Sequence, residues 1–131
     1  MNYEKLYDSF IDLVIQQDKR NQFKINNCII INNKLPKSYI EFIKKYNPIN
    51  VEIVFKDLNA LILFPYEDLD NVQKEYGIDG NYFVFGSING DPVIFNENTV
   101  CIAKHGQGIW DFEIISNSFI DYIEHIIGNM R

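Results

Sequence analysis

The sequence predicts an α+β domain in which N-terminal helices and a C-terminal helix pack on a twisted, mostly antiparallel sheet. Apolar residues recur at three- and four-residue spacing near residues 3–16, 35–47 and 118–127, which is typical of helices that bury one face. Between these segments lie short, branched apolar runs separated by turn residues, which is typical of antiparallel strands. The length of 131 residues fits one domain, which we assign to residues 1–131.

Two helices are predicted in the first third of the chain. The first covers residues 3–16, and the second begins at Leu35-Pro36, because proline suits the first helical turn, where its missing N–H needs no partner. The second helix is predicted to stop at Asn47-Pro48. Residues 18–27 are polar and irregular, and residues 28–31 fit either a short strand or an extended link.

Two further helices follow. Residues 67–75 carry acids in their first turn and are closed by Gly77, so they predict a short connecting helix. Ser118, with Asp121 three residues later, predicts the N-cap of a closing helix.

The strands are predicted as consecutive hairpins. Asn89-Gly90 is the strongest turn signal, because both residues accept a positive φ at low cost. The predicted strands are residues 51–55, 60–64, 82–86, 92–96, 99–104 and 109–115, with residues 97–98 as a turn and 105–108 as a loop.

Charge is distributed unevenly along the chain. Residues 1–66 hold nine Lys or Arg and seven Asp or Glu, a net +2, whereas residues 67–131 hold three and eleven, a net −8. A surface of that sign repels nucleic-acid phosphates and attracts basic partners. We therefore expect no direct nucleic-acid binding, although acidity for solubility alone is an open alternative.

Composition argues against a membrane or secreted protein. The longest apolar runs, residues 28–31 and 60–64, are far below the roughly 20 residues of a membrane-spanning helix. Glu4 and Asp8 lie where a signal peptide needs positive charge, so we expect a cytoplasmic protein. Cys28 and Cys101 lack metal-ligand spacing and are read as buried thiols.

Catalytic chemistry has little support in the sequence. The common nucleotide-binding and metal-binding motifs do not occur, so we predict no cofactor, no metal and no enzymatic activity. His125 is interpreted as a packing residue, and His105, near several acids, lacks a nucleophile at a recognisable spacing. Trp110, the single tryptophan, fits either an interface anchor or a core residue.

Four stretches together resemble the SUKH superfamily, which includes bacterial immunity proteins and yeast cell-wall regulators. Leu-Pro-Lys-Ser-Tyr-Ile-Glu-Phe-Ile-Lys-Lys-Tyr-Asn at residues 35–47 is similar to its second helix, and Phe-Gly-Ser-Ile-Asn-Gly-Asp-Pro-Val-Ile-Phe-Asn at residues 85–96 to its central hairpin. Residues 100–110, with His105-Gly106, resemble the following strand and loop, and Ser-Phe-Ile-Asp-Tyr-Ile at residues 118–123 resembles its closing helix. Pro48-Ile49 departs from the glycine pair that the family has there.

The resemblance implies a non-enzymatic binding fold with no shared catalytic residues to carry over. Abundant isoleucine, asparagine and lysine favour the bacterial branch, so the expected function is an immunity protein that neutralises a cognate, basic toxin, such as a nuclease, by direct binding. The alternative is a regulatory adaptor that binds a cellular protein, as in the yeast members. A third hypothesis is a small enzyme that uses His105. It would be supported by an enzymatic turnover that disappears in His105→Ala while the fold is retained.

The expected partner-binding surface is acidic and lies on the sheet face that the helices leave open. Asp111 and Glu113 should share a side because they are two residues apart, and Trp110 should point the opposite way. The candidate residues are Asp79, Asp91, Glu97, Asp111 and Glu113.

Overall fold

The computed structural model describes residues 3–26, 28–30, 32–106 and 109–131. Over these residues the chain forms four α-helices and one seven-stranded antiparallel sheet, which confirms the predicted α+β class. The strands follow one another across the sheet in chain order. The elements are α1 (Glu4–Gln17), β1 (Gln22–Ile25), α2 (Lys37–Lys45), β2 (Tyr46–Val54), β3 (Ala60–Leu63), α3 (Leu69–Tyr76), β4 (Tyr82–Ile88), β5 (Asp91–Asn96), β6 (Thr99–Gly106), β7 (Ile109–Ser116) and α4 (Phe119–Asn129).

The larger core lies between one face of the sheet and helices α1, α2 and α4. Aromatic side chains fill its centre: the Phe85 and Phe95 rings stack with centroids 4.1 Å apart. Tyr39 of α2 packs edge-on against Phe95 and against Phe119 of α4, at 5.0 and 5.3 Å between centroids. These rings are buried, so this face of the sheet is held mainly by the removal of apolar area from water.

A smaller core lies on the opposite face of the sheet, under α3. Its buried members are Ile78, Val84, Ile94, Cys101 and Ala103. The side chain of Gln73 fixes α3 to the start of β4. Its amide nitrogen donates hydrogen bonds to the carbonyls of Ile78 and Tyr82, and its oxygen accepts one from the Val84 amide. Both faces of the sheet therefore carry helical cover.

The local signals at turns and helix ends are confirmed. Asn89 and Gly90 have φ values of 50° and 89°, as a tight turn between β4 and β5 requires. The backbone amide of Asp121 donates to the Ser118 hydroxyl, which caps α4. Gly77 ends α3 in the left-handed conformation.

Other predicted boundaries are wrong. The irregular segment contains β1, which pairs with the first half of β2. For residues 28–31, where a strand and an extended link were both open, residues 28–30 form no strand, and residue 31 lies outside the described residues. Helix α2 ends at Lys45, and Asn47-Pro48 lies inside β2, where the Asn47 side chain bonds the Tyr66 amide and the Glu67 carboxylate. Of the predicted loop at 105–108, the first two residues extend β6, and residues 107–108 lie outside the described residues.

Candidate partner-binding surface

The five predicted acids fall into two groups at opposite ends of the sheet. Asp79 precedes β4 and Glu97 lies in the turn between β5 and β6. The pairing of Tyr82 with Asn96 brings these two segments to the same end, and both acids are exposed. Each is held by its turn, because Asp79 accepts a hydrogen bond from the Asn81 amide and Glu97 has a φ of 53°.

The other three acids lie at or toward the opposite end. Asp91 begins β5 directly after the turn at residues 89–90, and Asp111 pairs with Lys104. Because Val93 pairs with Ile102, continuing the register by two residues sets position 91 beside position 104. The length of β5, about 17 Å, separates the Asp91 end from the Glu97 end. The sequence therefore predicted one acidic surface where the structure has two.

The predicted face for Asp111 and Glu113 is wrong. Directly opposed residues of an antiparallel pair share a face, and these two acids oppose Lys104 and Ile102. Val100, two residues before Ile102, belongs to the larger core. Both acids therefore lie on the face that carries α1, α2 and α4, and both are exposed. The expectation failed because the register with β6 decides which face these acids occupy, and because α3 covers part of the face that was expected to be open.

Lys104 neutralises part of this negative charge. Its ammonium nitrogen lies 3.5 Å from a Glu113 carboxylate oxygen, and both side chains are more than half exposed. An ion pair this open to water is weakly held, because solvent and salt screen it. The β7 end of the sheet thus keeps a net negative charge that a partner can reach.

The other face of β7 is apolar. The Trp110 ring packs edge-on against Tyr76 of α3, and its indole N–H donates to the Tyr76 carbonyl at 3.2 Å. Phe112 lies against the Tyr82 ring with centroids 4.6 Å apart, yet 39% of Phe112 is exposed. Ile114 is 63% exposed. Trp110 points away from the acids, as expected, and packs half-buried against the smaller core.

We call residues 109–116 with both of their faces the β7 surface. Its apolar side chains, Phe112 and Ile114, were not among the predicted site residues. The sequence does carry a signal for them, since strict alternation of apolar and acidic residues from 110 to 114 marks a strand with two different faces. The sequence does not show that this strand lies at the rim of the sheet.

The two rims of the sheet differ in how their backbone groups are satisfied. Beyond the short strand β1, two side-chain amides cover the rim of β2. Asn21 bonds both the N–H and the C=O of Glu52, and Gln17 does the same for Val54. In the described part of the chain, β7 pairs with β6 and with no other strand, so every second residue of β7 turns its N–H and C=O outward.

Metal-binding geometry is not found among the described residues. No group of three or more His, Cys, Asp or Glu side chains there is close enough to hold a metal ion. His125 is exposed on α4, contrary to its prediction as a packing residue, and the His105 side chain lies outside what the structure describes. A cleft of about 560 Å³ is lined by Cys28, Asn32 and residues of α3, but burial raises the pKa of the Cys28 thiol and keeps it protonated.

Both cysteines are free thiols, with Cys101 buried in the smaller core and Cys28 half-buried. Among the described helices, none combines the length and the apolar character that crossing a membrane requires.

Comparison of the chain with family models, with curated proteins and with solved structures gave no match.

Proposed function

We propose that this protein is a cytoplasmic immunity protein of the SUKH type, which neutralises a basic protein toxin by binding it directly. The observation that supports the proposal best is the β7 surface, where exposed apolar side chains and exposed carboxylates alternate along one rim of the sheet. Such a surface suits a protein partner, because apolar contact supplies affinity and opposite charge speeds encounter.

The two kinds of side chain have different roles in this proposal. Phe112 and Ile114 lose contact with water when a partner covers them, at about 25 cal/mol per Å² of apolar area. Asp111 and Glu113 act at longer range, because opposite charge increases the association rate before contact is made. A toxin that grips nucleic acid must itself be basic and would meet this acidic surface favourably.

The direct test is protection of growing cells. The C-terminal domain of a toxin encoded immediately upstream of this gene is induced in a bacterium with and without the present chain. Rescue of growth together with a stable one-to-one complex supports the proposal. Continued killing in the presence of the folded chain, or a solitary gene with no such toxin beside it, overturns it and favours the regulatory adaptor.

A matched pair of charge reversals tests the surface itself. Asp111→Lys/Glu113→Lys and Asp79→Lys/Glu97→Lys change the net charge equally but at different ends of the sheet. We expect the first variant to associate with the toxin at least tenfold more slowly and with a weaker salt dependence, and the second to stay within about threefold of the wild type. Equal rates for the two variants would show that total charge, rather than the β7 surface, controls association.

A further inference from the structure

We propose that β7 accepts an extended segment of the partner as an eighth strand of the sheet, and that this segment alternates cationic with apolar side chains. The inference rests on the proposed function for the identity of the partner, a basic toxin. The strand-accepting rim itself is argued from the structure of β7.

The first argument is the open backbone of β7. Strand β7 is eight residues long and, within the described residues, is bonded on one side only. Natural sheets blunt such rims with short strands, bulges, charged side chains or covering groups, because an open ladder pairs with other chains. On β7 the charges are Asp111 and Glu113, which repel acidic strands but not a cationic one. The β2 rim has this cover in Gln17 and Asn21. The rim of β7 keeps its regular pairing with β6 from Cys101 to Gly106, and its one register shift lies near Ser116.

The second argument is the pattern of side chains beside that open ladder. A strand added to β7 places its own side chains in two rows, one continuing each face of the sheet. One row would lie beside Asp111 and Glu113, and the other beside Phe112 and Ile114. Carboxylates select lysine or arginine in the first row, and the exposed apolar pair selects apolar residues in the second.

The third argument disfavours a second copy of this chain as the occupant. If two β7 strands paired antiparallel around Phe112, Asp111 would face Glu113 of the second copy. If they paired around Glu113, the two Glu113 side chains would face each other. Like charges directly opposite one another destabilise a strand pair, so the acids disfavour self-pairing and favour a cationic strand.

A synthetic peptide provides the test without the toxin. The probe is a nine-residue peptide of alternating lysine and valine, and Trp110, the single tryptophan of the chain, reports its binding by fluorescence. One control peptide carries a methyl group on the backbone nitrogen of every lysine, and a second carries it on the backbone nitrogen of every valine. In an added strand the amides of one residue type point toward β7 and those of the other type toward solvent.

We expect one N-methylated peptide to bind at least tenfold more weakly than the parent, and the other to bind within about threefold of it. Hydrogen exchange at alternate amides of residues 109–116 should slow when the parent peptide is bound. The double reversal Asp111→Lys/Glu113→Lys should abolish binding, whereas Asp79→Lys/Glu97→Lys should preserve it. A glutamate–valine peptide should not bind.

The inference is overturned if the parent peptide does not bind, or if the two N-methylated peptides behave alike, since simple electrostatic attachment would not distinguish them. This outcome is separate from the growth assay. Rescue of cells without strand addition would support the immunity function but require a different binding geometry. Strand addition without rescue would overturn the immunity function and leave β7 as a strand acceptor for another partner.

Discussion

Replacement of Asn21 by alanine should destabilise the protein strongly, because the Asn21 side chain bonds the outward-facing backbone groups of Glu52 at the rim of β2. Asn21 is 5% exposed, and its amide makes three hydrogen bonds: the nitrogen donates to the carbonyls of Val14 and Glu52 at 3.0 and 3.1 Å, and the oxygen accepts from the Glu52 amide at 2.9 Å. Each such bond contributes about 1 kcal/mol net, so the loss of all three should lower the free energy of unfolding by about 3 kcal/mol.

Urea denaturation measures this loss. With a denaturant slope of about 2 kcal/mol per molar, the midpoint should fall by about 1.5 M. The matched control is Asn98→Ala in the exposed turn between β5 and β6, where the change should stay within about 0.5 kcal/mol. The Glu52 amide should also exchange its hydrogen faster in Asn21→Ala. If both alanine variants have the wild-type midpoint, the Asn21 side-chain amide does not stabilise the rim of β2. The proposed difference between a covered β2 rim and an open β7 rim would then be unsupported.

Three further changes test the fold. Gly90→Val should cost about 1 kcal/mol or more in thermal unfolding, because a branched residue resists the φ of 89° at this turn, and an unchanged midpoint would contradict the turn geometry. Gly86→Ala should lower the free energy of unfolding, measured with urea, by about 1–3 kcal/mol, because the added Cβ would lie 2.7 Å from a backbone carbonyl oxygen of β3. The control Gly128→Ala, where a Cβ on α4 meets open space, should be neutral or slightly stabilising. Hydrogen bonds from the Tyr46 hydroxyl and the Lys45 ammonium hold the pKa of Asp8 below its ordinary value of 3.8. The contribution of Asp8 to stability is therefore present above that ordinary value and is lost as the pH falls through the lowered pKa. Asp8→Asn should therefore lose less stability between pH 5 and pH 2 than the wild type, and parallel acid-unfolding curves would refute this role.

Features set by neighbouring residues could be predicted from the sequence. The turn at Asn89-Gly90 and the cap at Ser118 depend on the conformational preferences and hydrogen bonds of a few consecutive residues. The α+β class followed from apolar spacing in the same way. Strand β1 was missed because its four residues, 22–25, alternate weakly and are held by pairing with β2 rather than by their own pattern.

The site could be predicted only in part. Asp111 and Glu113 were expected on one side with Trp110 on the other, because alternation in a strand is local. Which face each side belongs to depends on the register with β6 and on where α3 packs, and both are contacts between residues far apart in the chain. Strand register also sets the distance between the two groups of acids. Asp79 and Glu97 were therefore predicted to share a surface with Asp91, which lies about one strand length away.

The strand order has a consequence for how the chain folds. Among the described residues, each strand from β1 to β6 pairs with the strand that follows it in the chain, and the connections at residues 89–90 and 97–98 are two residues long. Closing so short a loop costs little chain entropy, so pairing can begin at several turns independently and spread outward. We therefore expect the β4–β5–β6 region to form early in refolding, with φ-values well above those of α1, whose contacts join distant parts of the chain.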